Sequence, residues 1–410
     1  MGGIWMINRK QREKDILKLI EGLDIPQSLY VKAIEHYNAV AAFLHEQGIE
    51  SDIYPQGSYS LGTVVRPYKE SEDAAYDLDA VCEININKSD TTAEEIKKMV
   101  GDALKSDGTY RKMLQEEWDK CWTLEYADVN GIGFSVDIVP AVAENDIILK
   151  NTLVTEGVDF SVYDSQIAIT HKDGEKYTWK TSNPKAYQNW FKELNESFVK
   201  AERQRLAKRR DGRLYVLNEG TVEKIPEIQE RSALQRVIQI VKYHADVYYT
   251  KGNIKEYKSA SVIVTTLIAL LAQEADPSLE VFPLLSYIVG QLEIYGENLS
   301  LTESAFSKRY ENKNVIRRIG GQWVLRNPLN PSENLVDSWN QEPCKAQYFF
   351  QWIRMLKKDY LTSLDTEDEK FVAVLENNFG KDYLQKSLNM GVYARKEPAN
   401  INVASKPYRR

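Results

Sequence analysis

Two short stretches constrain this chain more than anything else in it: Gln56-Gly57-Ser58-Tyr59-Ser60-Leu61-Gly62-Thr63, and then Tyr76-Asp77-Leu78-Asp79-Ala80-Val81. The second reads as a strand, in which residues i and i+2 share a face, so Asp77 and Asp79 project together. Paired carboxylates repel at neutral pH, and a divalent cation is the simplest way to keep both charged. Mg²⁺ takes carboxylate oxygens and shares them with substrate phosphates. The first stretch supplies a phosphate end, because Gly57 lets backbone approach closely and Ser58 adds a hydroxyl beside main-chain N–H groups. A turn of this kind opening a short helix is an anion site. Neither signal decides the matter alone, since Gly-Ser loops are common and a lone Asp-x-Asp is more often a solvated strand face. A third carboxylate tips the balance. In Gly133-Phe134-Ser135-Val136-Asp137-Ile138-Val139-Pro140, Val136 and Ile138 share one face of a further strand and Asp137 takes the other.

At 410 residues the chain exceeds the roughly 250–300 over which a single core grows, so two domains are expected. A formal charge of −7 argues against a protein whose main task is gripping a nucleic-acid backbone. Cys82, Cys121 and Cys344 are scattered and odd in number, which suggests neither a disulfide framework nor a zinc cluster, and points to a reducing, cytoplasmic setting. No run approaches the ~18 apolar residues of a membrane span, and the start lacks a secretory core.

Ahead of the opening stretch, helices are expected over Gln11–Leu23 and from Pro26 to His45, the second with Tyr30, Ile34, Tyr37, Ala41 and Leu44 as its core stripe and His36 and His45 at the surface. Thr91 or Thr92 caps a helix that ends at Asp107-Gly108, and a hairpin turns at Asn130-Gly131. A second hairpin turns at Asp173-Gly174, and a helix starts at Asn183-Pro184. The basic run Lys200–Arg210 reads either as a contact for polyphosphate or nucleic acid or, on charge patterning, as a solvated helix end or flexible connector. Beyond Pro226 the chain turns helical, with Ser232 as an N-cap and Lys242 near mid-helix. Arg326–Pro331 is a turn, and Ser332–Trp339 is expected to be non-helical; the end from Arg395 is extended. The expected division is 1–225 as a core with N-terminal helices, 226–394 as a helical lobe and 395–410 as a tail.

Taken in order, Gln56-Gly57-Ser58-Tyr59 to Thr63, Tyr76-Asp77-Leu78-Asp79, Val136-Asp137-Ile138-Val139-Pro140, Leu234-Gln235-Arg236 to Lys242-Tyr243-His244, and Asn327-Pro328 to Asn334 with Trp339 resemble the bacterial cGAS/DncV-like nucleotidyltransferases, the SMODS type found in CBASS anti-phage systems. The resemblance spans most of the chain. It implies an α+β fold: a polymerase-β-like nucleotidyltransferase core with a small mixed sheet, facing a helical lobe across a nucleotide cleft. It implies synthesis of cyclic di- or trinucleotide messengers from ATP and other nucleoside triphosphates, with two Mg²⁺ ions (or Mn²⁺) held by Asp77, Asp79 and Asp137 as the catalytic acids. It further implies that Gln56, Gly57 and Ser58 hold phosphates, that Lys242 reaches the triphosphate, and that Ser259 and Ser261 lie beside the nucleotide. For the two serines an N-cap role serves equally well, and Lys242 read without the resemblance is as readily an exposed helix lysine. The implied setting is a cytoplasmic monomer with HORMA-like or ubiquitin-transfer-like regulators. The zinc-binding His/Cys insertion of the superfamily's animal DNA sensor has no counterpart in the spacing here, so activation by DNA is not implied. The alternative function is a nucleotidyltransferase that modifies a small molecule or a protein.

Overall fold

The computed structural model describes residues 8–68, 75–129, 132–155, 157, 160–209, 231–297, 305 and 315–393. Along the chain run α1 (Arg9–Glu21), α2 (Gln27–Glu46), β1 (Ser51–Pro55), α3 (Gly57–Ser60), β2 (Tyr76–Ile84), α4 (Ala93–Ser106), α5 (Tyr110–Met113), β3 (Trp122–Val129), β4 (Ile132–Ala143), α6 (Ile147–Thr155), α7 (Phe160–Asp164), β5 (Ile167–Asp173), β6 (Lys176–Ser182) and α8 (Pro184–Arg209). There follow α9 (Ala233–Lys251), α10 (Ser261–Ala272), α11 (Val281–Glu297), the short strands β7 (Arg317–Ile319), β8 (Gln322–Val324), β9 (Arg326–Asn327) and β10 (Asn330–Asn334), and then α12 (Asp337–Gln341), α13 (Pro343–Lys357), α14 (Asp368–Phe379) and α15 (Lys381–Ser387). Among the described residues no helix is long and apolar enough to cross a membrane.

The chain forms two compact units, Met1–Gly22 with Thr362–Arg410, and Leu23–Leu361. In the first, the buried Arg12 gives its guanidinium N–H groups to the carbonyls of Ser363, Leu364 and Thr366 and to the Asp368 carboxylate. A buried charge is tolerated when it is paired and hydrogen-bonded in this way.

The second unit is built on a mixed sheet in the order β1-β2-β4-β5-β6, with β3 added against β4. β2 and β4 run parallel, which requires a crossover, and the segment carrying α4, α5 and β3 supplies it. Strand alternation sorts the two faces. Tyr76, Leu78, Ala80, Cys82 and Ile84 of β2 pack with Phe134, Val136 and Ile138 of β4 against α2 and α4, forming the main core. Each such fully buried large side chain contributes about 1.5–3 kcal/mol. On the opposite face Val81, Val139, Ala141, Ile167 and Ile169 form a smaller apolar patch. Asp77, Asp79 and Asp137 share that second face.

Local signals read from sequence hold in several places: Thr92 with Glu95 and Ser232 with Gln235 each form a full capping box. Elsewhere the structure departs from expectation. The buried stripe of α2 is Leu29, Ala33, Tyr37, Val40 and Leu44, with Ile34 left 42% exposed, so the stripe is rotated by about one residue around the helix. His36 is not a surface residue but packs on Tyr126 with ring centroids 4.0 Å apart, and burial lowers its pKa. The segment read as non-helical contains α12, whose Trp339 is buried. The basic run belongs to the end of α8, which continues to Arg209; the turn residues Asn130 and Gly131, and the tail from 394, lie outside the described residues.

One set of contacts ties α9 to the loop that follows Gly57-Ser58. Gln235 Nε2 donates to the Leu61 carbonyl at 2.9 Å, and Gln239 Nε2 donates to the Val64 carbonyl at 2.6 Å and to Asp24 Oδ1 at 2.8 Å. Arg236 pairs with the same Asp24 at 2.8 Å. These are buried polar groups with their partners in place, which makes the junction rigid. Lys242 lies two turns further along α9.

Candidate active site

The parallel register sets Asp79 opposite Asp137 and Asp77 opposite Ser135, while the antiparallel register sets Thr123 opposite Asp137. Three carboxylates therefore share one face of two adjoining strands. Ser135 Oγ donates to Asp77 Oδ1 at 3.0 Å, and Thr123 Oγ1 donates to Asp137 Oδ1 at 2.5 Å. Asp79 is the crowded member: burial first, then the charges of Asp77 and Asp137, push its carboxyl up to about 7, with Lys242 pulling the other way. Burial likewise raises Asp137, and the Thr123 hydroxyl opposes that rise.

The phosphate turn lies directly against this group. Gln56 N–H donates to the Asp79 carbonyl at 2.9 Å. Gly57 adopts φ +60°, and a Cβ built there would lie 2.6 Å from Asp79 Oδ2. Only a residue without a side chain permits both the left-handed backbone and that approach.

Gln56, Gly57, Ser58, Asp77, Asp79, Asp137, Lys242 and Ser261 all line one cavity of about 970 Å³. Lys242 is half-buried on α9; burial brings its ammonium down to about 8, while Asp246 and Asp79 favour the charged form. Ser259 is the exception. It is buried outside the cavity wall, and its Oγ accepts the Trp339 indole N–H at 3.2 Å. Neither serine caps α10, whose N-cap is Ala260 and which has no side-chain cap. Several other cavity residues were not singled out beforehand, although the Asn327 to Asn334 segment was. Lys258, ion-paired with Asp246, comes from the turn before α10, and Gln166, His171 and Lys180 come from β5, β6 and the residue before them. Asn327 belongs to β9 and Asn330 and Glu333 to β10, a hairpin for which the paired Asn-Pro sequence was the available signal.

Hard oxygen donors suit a divalent cation of the Mg²⁺ class, and Asp79 carries the crowded, desolvated charge that such a cation neutralises. Among the described residues no three His, Cys, Asp or Glu side chains are gathered tightly enough to hold an ion as they stand. Asp77 and Asp137 instead each accept from a neighbouring hydroxyl.

Residues 51–139 match the family model for the nucleotidyltransferase domain of cyclic GMP-AMP synthase DncV-like proteins. A c-di-GMP synthase of Roseivirga ehrenbergii is 26% identical over 398 residues, covering 96% of this chain and 89% of that protein. The CD-NTase CdnG of Bradyrhizobium diazoefficiens, in complex with GTP, aligns with a TM-score of 0.64 at 20% identity over 92% of this chain and 98% of its own. CdnC of E. coli MS115-1, in a complex with HORMA-deltaN, aligns at 0.55 and 14% identity over 90% and 97%. At these identities the two structures show the fold, and it is the α+β arrangement described above. Residues 51–139 thus carry a nucleotidyltransferase domain of the DncV-like type, in a chain similar to a c-di-GMP synthase along nearly its whole length.

Proposed function

We propose that this chain is a cyclic oligonucleotide synthase that joins nucleoside triphosphates, releases pyrophosphate and makes a di- or trinucleotide messenger for anti-phage defence. The observation that carries the reading is the single cavity in which the acid face of β2 and β4 and the Gly57-Ser58 turn meet Lys242 and Ser261. Its volume lies at the upper end of the ~300–1,000 Å³ range of small-molecule sites, which supports room for a donor and an acceptor nucleotide together. Sequence similarity to the c-di-GMP synthase along nearly the whole chain supports cyclisation over transfer to a small molecule or protein. In this reading nucleoside triphosphate substrates fit a cytoplasmic reaction, and the proposed acting form is a monomer. The HORMA-deltaN partner of CdnC makes a HORMA-like protein the first regulator to test.

Asp77, Asp79 and Asp137 would hold two Mg²⁺ ions, or Mn²⁺ in their place, whose chemistry when bound is to polarise the α-phosphate and activate the attacking ribose hydroxyl. Gln56, Gly57 and Ser58 take the β- and γ-phosphates with backbone N–H and hydroxyl donors. Lys242 and Ser261 approach the same triphosphate from the opposite wall. Asp137 accepts the proton leaving the incoming hydroxyl. Positioning and charge stabilisation dominate phosphoryl transfer, so a rigid junction between α9 and the phosphate loop serves the reaction directly.

Mass spectrometry of products formed from the four triphosphates with Mg²⁺ tests the reading, with GTP the first substrate to supply. Phosphatase-resistant cyclic products are expected; label from α-labelled triphosphate appearing only on a non-nucleotide acceptor would establish the alternative. Lys242→Met is expected to raise KM for triphosphate about 10- to 100-fold, the loss of one desolvated charge-assisted contact of about 1.5–3 kcal/mol. An unchanged KM would remove Lys242 from the site.

A further inference from the structure

Thr123 has so far been only a neighbour of the third acid. It is 9% exposed on β3 and stands directly across from Asp137. Its 2.5 Å contact with Asp137 Oδ1 is in the short range of hydroxyl bonds to an ionised carboxylate. The ionised carboxylate has no proton to give, so the threonine hydroxyl is the donor.

Cys121, the residue just before β3, places Sγ 3.9 Å from Thr123 Oγ1. Thr123 has a single hydroxyl proton, directed at Asp137, and the Cys121 thiol lies within hydrogen-bond reach of both the Thr123 hydroxyl and the Asp137 carboxylate.

A buried threonine hydroxyl does not find a partner automatically in this protein: those of Thr63 and Thr170 have none. Nor does the strand demand a hydroxyl, since valine is isosteric and has comparable strand propensity. The hydroxyl at 123 therefore needs a reason of its own.

We propose that Thr123 is a positioning residue for the transfer reaction: by occupying Oδ1 of Asp137 it fixes the plane of that carboxylate, so that the remaining oxygen is presented to the cation and the incoming ribose hydroxyl. An aspartate carboxylate otherwise turns about a broad χ2 torsion. Outer partners of this kind orient ligating groups, and their loss typically costs 10- to 100-fold in metal affinity or activity. The inference rests on the nucleotidyltransferase reading above and extends it to a residue that touches neither nucleotide nor metal.

Thr123→Val removes the donor at constant shape, and Thr123→Ser keeps it. The measurements are kcat and KM for nucleotide product, Mn²⁺ binding to nucleotide-free protein by electron paramagnetic resonance, and thermal unfolding to confirm the fold. Thr123→Val is expected to lower kcat about 10- to 100-fold with KM within about threefold, and to weaken Mn²⁺ binding about tenfold, while Thr123→Ser stays within about threefold throughout. Parental kcat and Mn²⁺ binding in Thr123→Val would overturn the proposal. So would a Thr123→Ser variant as impaired as Thr123→Val, because the methyl group rather than the hydroxyl would then matter. If the valine variant does not fold, Thr123→Ala replaces it in the comparison with serine. If the parent protein makes no nucleotide product, the reading of function fails, and the Mn²⁺ measurement still decides the role of Thr123.

Discussion

Asp79→Asn abolishes nucleotide product, a loss of at least about 10³-fold in kcat, and the same substitution makes the metal-free protein more stable at pH 8. The first effect follows from position: Asp79 stands between Asp77 on its own strand and Asp137 on the next, and an amide cannot replace the charge that holds the cation. Metal polarisation supplies several kcal/mol at the transition state, and each 1.36 kcal/mol is tenfold in rate. The second effect follows from the Asp79 carboxyl, raised from 3.8 to about 7 mainly by burial. Between these values the folded protein keeps a proton that the unfolded chain has lost. Stability from this group is therefore greatest at the acid side and declines as pH rises from about 4 to about 7, after which the penalty stays constant. Asparagine carries no such penalty. In chelator the variant should melt higher than the parent at pH 8, by about 2–4 °C for each kcal/mol relieved, with the gap closing toward pH 4. Added Mg²⁺ should narrow the pH 8 gap, because ligand binding stabilises only the parent. Thermal melts with and without chelator, beside product assays, check both effects; product formation at the parental rate would dismantle the site.

What could be read from the sequence was whatever depends on neighbours in the chain. Asp77 and Asp79 share a face because strand alternation is local, and Thr92 and Ser232 cap helices because the partner residue lies three positions on. The parallel pairing of β2 with β4 is different in kind. It places Asp137 beside Asp79, 58 residues away, and only the motif order and the family resemblance pointed to it. The α2 stripe slipped because Ile34 and Ala33 are both acceptable core residues, and what decides between them is the outline of the sheet underneath. The two serines before α10 show the same limit. One faces the cavity and the other meets the Trp339 indole, an outcome set by the chain's direction into the helix and by a tryptophan 80 residues further on. Lys258, Asp246 and the β5–β6 wall left no sequence signal, since each is an unremarkable residue until tertiary packing gathers it.

Gly57→Ala should cost little of the fold and most of the activity. At φ +60° an alanine pays about 1–2 kcal/mol in backbone conformation, and its Cβ would sit 2.6 Å from Asp79 Oδ2. No arrangement keeps both groups where they are. If the carboxylate swings away, the central acid leaves the cation; if the turn lifts, the donors of Gly57 and Ser58 leave the phosphates. A displacement near 1 Å at a reacting centre costs about 10²-fold, so kcat/KM should fall by at least that factor. Gly62→Ala separates this effect from general strain. Its φ is +66°, but the new Cβ would meet Arg231 and Gln235 rather than an acid, so its cost should appear mainly as a lower Tm, with a smaller loss of kcat/KM through the Gln235–Leu61 contact. Gly108→Ala, at a position with open space and no positive φ, should change neither quantity. Steady-state kinetics and thermal melts on the three variants would show whether Gly57 is needed for its closeness to Asp79. Equal losses of kcat/KM in the Gly57 and Gly62 variants would instead assign the effect to backbone strain, and the contact between the phosphate turn and the central aspartate would then carry no catalytic weight.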